Sequence, residues 1–167
     1  MIQVYTGNGK GKTTAALGLA LRAVGAGKKV YICQFIKGRK YSELLGLKKL
    51  NNITIEQFGR GCFIKGQPTD TDMEIAQRGL EKVERVIRSK KFDLVILDEI
   101  NNCLDLKIIK IEDVLGLIDE TPRNVELVLT GRNAPKTLIA AADLVSEVRE
   151  IKHYYNNGIK ARKGIEY

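Results

Sequence analysis

The chain has 167 residues, 44% of them hydrophobic and 29% charged, with a formal net charge of +8. That length predicts one domain, residues 1–167, able to bury roughly 70% of its unfolded surface without staples. No apolar run approaches the roughly 20 residues of a membrane span, and Met1-Ile2-Gln3-Val4-Tyr5 lacks the pattern of a signal peptide, so a cytoplasmic protein without a membrane partner is expected.

Cys33, Cys62 and Cys103 are too scattered for a metal-ligand set or a disulfide framework, and Cys33 and Cys103 read as small core residues. The positive balance favours anionic partners in general, whether nucleotides, nucleic acid or acidic small molecules. Its one concentration, from Lys152 through Lys160, Arg162 and Lys163, reads from charge alone as a solvated surface.

Short runs rich in Val, Ile and aromatics alternate with helical stretches along the chain. A strand at Ile2–Tyr5 leads through a glycine-rich loop into a helix at Lys12–Ala26, stopped by Gly27. A strand at Val30–Phe35, a helix at Tyr41–Leu50 and a strand at Ile53–Phe58 follow. Asp70–Ser89 carries apolar residues near the helical period, with a cap and first-turn acids at Thr69-Asp70-Thr71-Asp72. Then come a strand at Leu94–Asp98, a helix at Ile111–Asp119, a strand at Val125–Thr130, a helix at Pro135–Ala142 and a late or edge strand at Leu144–Ile151. The alternation predicts an α/β fold with a mainly parallel sheet covered on both faces, whose ligands bind at the carboxyl ends of the strands.

Three motifs share that address. Thr6-Gly7-Asn8-Gly9-Lys10-Gly11-Lys12-Thr13-Thr14 matches the second half of the phosphate-loop pattern G-x-x-x-x-G-K-[ST], but the pattern's first glycine falls on Thr6. Its glycines let backbone N–H groups face an anion, the following helix adds its positive end, Lys12 a point charge, and Thr13 a hydroxyl suited to Mg²⁺. Leu94-Val95-Ile96-Leu97-Asp98-Glu99 ends a central strand in two carboxylates, either of which suits the metal beside such a loop. Leu129-Thr130-Gly131-Arg132 places an Arg where another strand ends, as a phosphate clamp or as an exposed turn residue.

What is missing also constrains the chemistry. His153 is the single histidine and lies in the basic C-terminal segment, so no Ser/His/Asp or Cys/His set assembles. A hydrolytic ATPase or kinase would use Glu99 to orient its nucleophile, whereas a transferase acting on a powerful nucleophile needs no protein base. A nucleotide-gated nucleic-acid module ranks last, because no basic stripe is interleaved with aromatics, and no nucleic acid is expected as partner.

The phosphate loop with Ala15-Ala16, Gln34-Phe35-Ile36-Lys37-Gly38, Val95-Ile96-Leu97-Asp98-Glu99-Ile100-Asn101, Thr130-Gly131-Arg132, Ile151-Lys152-His153-Tyr154-Tyr155 and the run from Gly158 to Tyr167 together resemble the corrinoid adenosyltransferases of the CobA/BtuR/CobO type. The resemblance covers nearly the whole chain, and the off-register loop belongs to it. It implies a three-layer P-loop (RecA-like) fold and transfer of the 5′-deoxyadenosyl group of ATP to a Co(I) corrinoid with release of triphosphate. It implies Mg²⁺ as cofactor, ATP as co-substrate, a flavoprotein reductant and a homodimer. By position, Gly7, Gly9, Lys10, Gly11, Lys12, Thr13 and Thr14 would hold the triphosphate, and Asn8 and Arg22 would approach the nucleoside. Thr13 and Glu99 would bind Mg²⁺ with Asp98 as an outer partner, and Lys12, Glu99 and Arg132 would carry the catalysis. Relatives often show Gly-Phe-Thr-Trp where this chain has Gly61-Cys62-Phe63-Ile64, so Phe58 and Phe63 are either corrinoid contacts or core packing.

Overall fold

Six strands are separated by six α-helices, two of them between the fourth and fifth strands, in the computed structural model, which describes residues 1–61, 64 and 66–167. The strands are β1 (Ile2–Thr6), β2 (Val30–Phe35), β3 (Ile53–Phe58), β4 (Leu94–Asp98), β5 (Glu126–Thr130) and β6 (Leu144–Glu147). The helices are α1 (Lys12–Gly25), α2 (Ser42–Leu47), α3 (Asp70–Ser89), α4 (Ile100–Asp105), α5 (Ile111–Glu120) and α6 (Lys136–Ala141). They form one sheet in the order β3-β2-β4-β5-β1-β6, with every pairing parallel. Parallel pairing requires a crossover between successive strands, and the helices supply it on both faces.

The pleat divides the core in two, because successive side chains point to opposite faces. Tyr31, Cys33, Phe35, Val95, Leu97, Leu127 and Leu129 face Leu80, Val83 and Ile87 of α3, Val114 and Leu117 of α5 and Leu138 of α6. Val30, Ile32, Leu94, Ile96 and Val128 face Ala16, Ala20 and Ala23 of α1 and Leu47 of α2. The alanine stripe on α1 leaves little bulk between helix and sheet, which holds the start of α1 close to the strand ends. Cys33 and Cys103 are fully buried, as the sequence predicts.

Three expectations are corrected. The helix expected at Tyr41–Leu50 closes at Leu47, and the edge strand expected to Ile151 ends at Glu147, since the chain beyond it turns onto the β1–α1 loop. The stretch Ile100–Asp105, given no element from the sequence, is α4. Among the described residues no helix is long and apolar enough to cross a membrane.

Strand order sets the address of the site. β5 lies between β1 and β4, so the ends of three adjacent strands present residues 7–14, Thr130-Gly131-Arg132 and Asp98-Glu99 along one edge.

Candidate active site: a phosphate loop beside two carboxylates

The loop is shaped by its neighbours as much as by its glycines. Thr6, standing where the usual pattern has glycine, is buried at the end of β1 and accepts a hydrogen bond from the Ala134 amide at 3.1 Å, tying the loop to the segment after β5. Gly7 has φ 98°, and a Cβ there would lie 2.5 Å from the Val148 carbonyl oxygen. The Gly9 amide donates to that same carbonyl at 2.7 Å, and Asn8 Oδ1 accepts from the Glu150 amide at 3.2 Å. The chain after β6 thus braces the loop from outside, and only glycine fits at position 7.

Lys12 points into the loop, where its ammonium donates to the carbonyls of Gly7 and Gly9, each at 2.7 Å. Burial lowers its pKa, with Arg132 adding to the effect and the two nearby carboxylates opposing it. Lys10, expected among the phosphate ligands, points away, to the Tyr154 hydroxyl, the Ile165 carbonyl and Glu166. Thr14 is exposed on the first turn of α1, and Arg22 sits about 12 Å farther along that helix, so the fold does not bring Arg22 to the loop itself.

Asp98, buried at the end of β4, is the hub of the site. Its Oδ1 accepts from the hydroxyls of Thr13 at 2.8 Å and Thr130 at 2.7 Å; its Oδ2 accepts from Lys37 Nζ at 2.7 Å and Gln34 Nε2 at 3.2 Å. Lys37 also donates to Thr13 Oγ1 at 3.3 Å and lies 3.8 Å from Glu99 Oε1. Burial works against the Lys37 charge, but Asp98 and Glu99 outweigh it and raise its pKa. Glu99 follows in a left-handed conformation, φ 66°, and its amide donates to Thr130 Oγ1 at 3.1 Å. Burial, and then the Asp98 charge, push the Glu99 carboxyl above the usual range.

Lys37, Gln34 and Thr130 have no assigned role in the sequence reading. The register offers the signal: Gln34 pairs with Asp98 across β2 and β4, so residues just past β2 must meet the end of β4.

The donor set is all oxygen, a hydroxyl and two carboxylates, which suits a hard divalent ion such as Mg²⁺. Both Asp98 oxygens already accept two bonds each, which leaves Glu99 and the Thr13 lone pairs better placed for direct coordination. Among the described residues no cluster of three or more His, Cys, Asp or Glu side chains surrounds the site, so water or ligand oxygens would complete the shell of an ion held by Thr13 and the carboxylates. Mg²⁺ commonly binds in that manner, with one or two carboxylates and substrate phosphates.

Arg132 leaves β5 through Gly131, whose φ of 136° and contact with Asn102 leave no space for a Cβ. The Arg132 amide donates to Asn102 Oδ1 at 2.6 Å, its side chain stays exposed, and its charge reaches both Lys12 and Glu99. Phe58 packs against α3 at Gly79 and lines a cleft of about 260 Å³ with Ile36, Gly59, Arg60, Gly61 and Ile64, at the ends of β2 and β3. Phe63 and Cys62 lie outside the described residues.

The family model of the ATP:corrinoid adenosyltransferases BtuR/CobO/CobP matches residues 1–167. The chain is 35% identical over 167 residues to the corrinoid adenosyltransferase of Escherichia coli K12, covering all of this chain and 85% of that protein. It is 34% identical to the corrinoid adenosyltransferase CobA of Salmonella typhimurium, with the same coverage. It is 37% identical over 171 residues to a corrinoid adenosyltransferase of a Sinorhizobium species, covering 80% of that protein.

Proposed function

The chain belongs to the ATP:corrinoid adenosyltransferase family, and on that premise we propose how its residues divide the work. The activity is ATP-dependent transfer of an adenosyl group to a corrinoid. The step we infer is a displacement at C5′ of ATP: Co(I) of the corrinoid donates an electron pair, the cobalt–carbon bond forms, and the C5′–oxygen bond breaks. Triphosphate leaves with that bond's electrons. No proton moves at the reacting atoms, so alignment and stabilisation of the leaving group carry the rate.

The observation that carries this reading is the loop itself. Lys12 is held inside the loop by the Gly7 and Gly9 carbonyls at the end of β1, with the Glu99 and Asp98 carboxylates close enough to act on its charge and no histidine among the motif residues. In our reading Gly7, Gly9, Gly11, Lys12, Thr13 and Thr14 hold the triphosphate, and Arg132 swings onto it from the end of β5. Asn8 and Arg22 meet the nucleoside. Lys10 acts through the loop's position, since its ammonium is committed to Glu166 and Tyr154. Thr13 and Glu99 would hold Mg²⁺, with Asp98 aligning the Thr13 hydroxyl; the ion supplies charge neutralisation to the departing triphosphate.

The corrinoid would approach along the cleft beside Phe58. At about 260 Å³ the cleft is smaller than sites that enclose a drug-sized ligand, so it takes only an edge of the macrocycle. Phe63 belongs to the same proposed contact. A homodimer in the cytoplasm and a flavoprotein that reduces cobalt to Co(I) complete the proposal. Hydrolysis with Glu99 orienting water is not favoured by the family match.

The test is anaerobic incubation with ATP, Mg²⁺ and chemically reduced cobalamin. A light-sensitive cobalt–carbon product and triphosphate in equal amounts are expected. Phosphate and ADP without an alkylated corrinoid, across several corrinoids, would refute the reading.

A further inference from the structure

Lys37 has no task in the chemistry above, although only 7% of it is exposed. The chain reaches it through Ile36, a β-branched residue at φ 49°, a conformation such side chains rarely adopt and which turns the segment after β2 back over the sheet edge. The ammonium so placed lies 2.7 Å from Asp98 Oδ2, 3.3 Å from Thr13 Oγ1 and 3.8 Å from Glu99 Oε1. These are the two side chains to which the metal is assigned, Thr13 and Glu99, and the carboxylate that aligns the Thr13 hydroxyl. Thr13 gives its single hydroxyl proton to Asp98 Oδ1, so toward Lys37 it offers a lone pair. A lone pair of that oxygen is also what a divalent ion would take.

We propose that Lys37 is a place-holding cation: its ammonium fills the cation position between Thr13, Asp98 and Glu99 and excludes a divalent ion until triphosphate oxygens arrive to complete the coordination. The proposal rests on the metal reading of Thr13 and Glu99. Two adjacent carboxylates and a hydroxyl would otherwise attract a divalent ion on their own. With the ammonium there, an incoming ion meets a like charge and a pair of acids already neutralised in part. Only the extra negative charge of the nucleotide tips the exchange, so metal and ATP bind as one unit.

The measurement is a titration of the full-length protein with Mn²⁺, a spectroscopic stand-in for Mg²⁺, followed by the loss of the free-ion electron paramagnetic resonance signal. Without nucleotide, Lys37→Met is expected to bind Mn²⁺ at least tenfold more tightly than the parent, whereas Lys37→Arg, which keeps the charge, stays weak. Lys37→Gln is the second neutral variant, and near-UV circular dichroism verifies that each variant is folded. Neutral variants that bind Mn²⁺ no more tightly than the parent overturn the proposal. With ATP and no corrinoid, the parent is expected to hold Mn²⁺ more tightly than ATP alone does, and Thr13→Ala to lose that gain. If the parent shows no such gain, the metal reading fails as well, which separates the two failures.

Discussion

Among the described residues Lys12 has two neutral partners and no acidic one in hydrogen-bonding reach, while burial lowers its pKa. A cation held by carbonyls alone is poorly compensated, so a polyphosphate that replaces those carbonyls gains a charge-assisted contact worth about 1.5–3 kcal/mol. Lys12→Ala is therefore expected to weaken ATP binding by roughly 10- to 150-fold. Calorimetric titration checks this, and equal affinity in variant and parent would contradict it. The spacing of the motif made Lys12, Thr13 and the acid pair legible from the sequence, since such residues must follow a strand and open a helix. Lys37 was not legible in the same way. Its position depends on the backbone turn at Ile36, and β-branched side chains give no local signal for a left-handed conformation.

The elements themselves followed from periodicity wherever they were long enough to show one. Five strands lie within a residue of where apolar runs place them, β6 starts as expected but stops at Glu147, and α3 is bounded as its cap and acids predict. α4 escaped because Ile-Asn-Asn-Cys-Leu-Asp is too short for a helical period and its buried residues include the polar Asn101. At α3 the cap adds a testable electrostatic feature. The Thr69 hydroxyl and amide meet Asp72 in a capping box, and Arg60 grips the Asp72 carboxylate at 2.9 Å. Arg60, with help from Thr69, holds the Asp72 carboxyl at about 2, below its ordinary 3.8. Because the folded value lies below the unfolded one, the stabilisation is complete above about pH 4 and is lost as pH falls toward 2. Asp72→Asn should lower the urea midpoint at neutral pH by a margin that narrows through that window. A margin that stays constant would show that the carboxylate's charge is not the source.

At the scale of the molecule, the phosphate loop is fastened to the far end of its own chain. Parallel topology brings the β1 and β6 ends together, so the residues after β6 brace the Gly7–Gly9 side of the loop. The C-terminal segment then returns: Lys10 meets Glu166 at 2.7 Å, Tyr154 joins the same carboxylate, and Ser42 at the start of α2 donates to the Tyr167 carbonyl. From charge alone the basic C-terminal segment reads as a solvated surface, since nothing local marks which acid in it has a partner more than 150 residues away. Lys10, Tyr154 and Arg162 hold the Glu166 carboxyl well below the ordinary glutamate range, so the contact lasts into acid. By the same sign rule it contributes above the unfolded value and disappears only as pH falls past the depressed one. Glu166→Gln is expected to speed amide hydrogen exchange both in the segment 153–167 and in the loop 7–11. Lys10→Met should do the same, and the double variant should add little, because the two residues form one interaction. Raised salt should reproduce part of the effect in the parent, since this pair is partly exposed. Faster exchange confined to 153–167, with the loop unchanged, would mean that the loop's shape is set by β6 and its glycines without the tail.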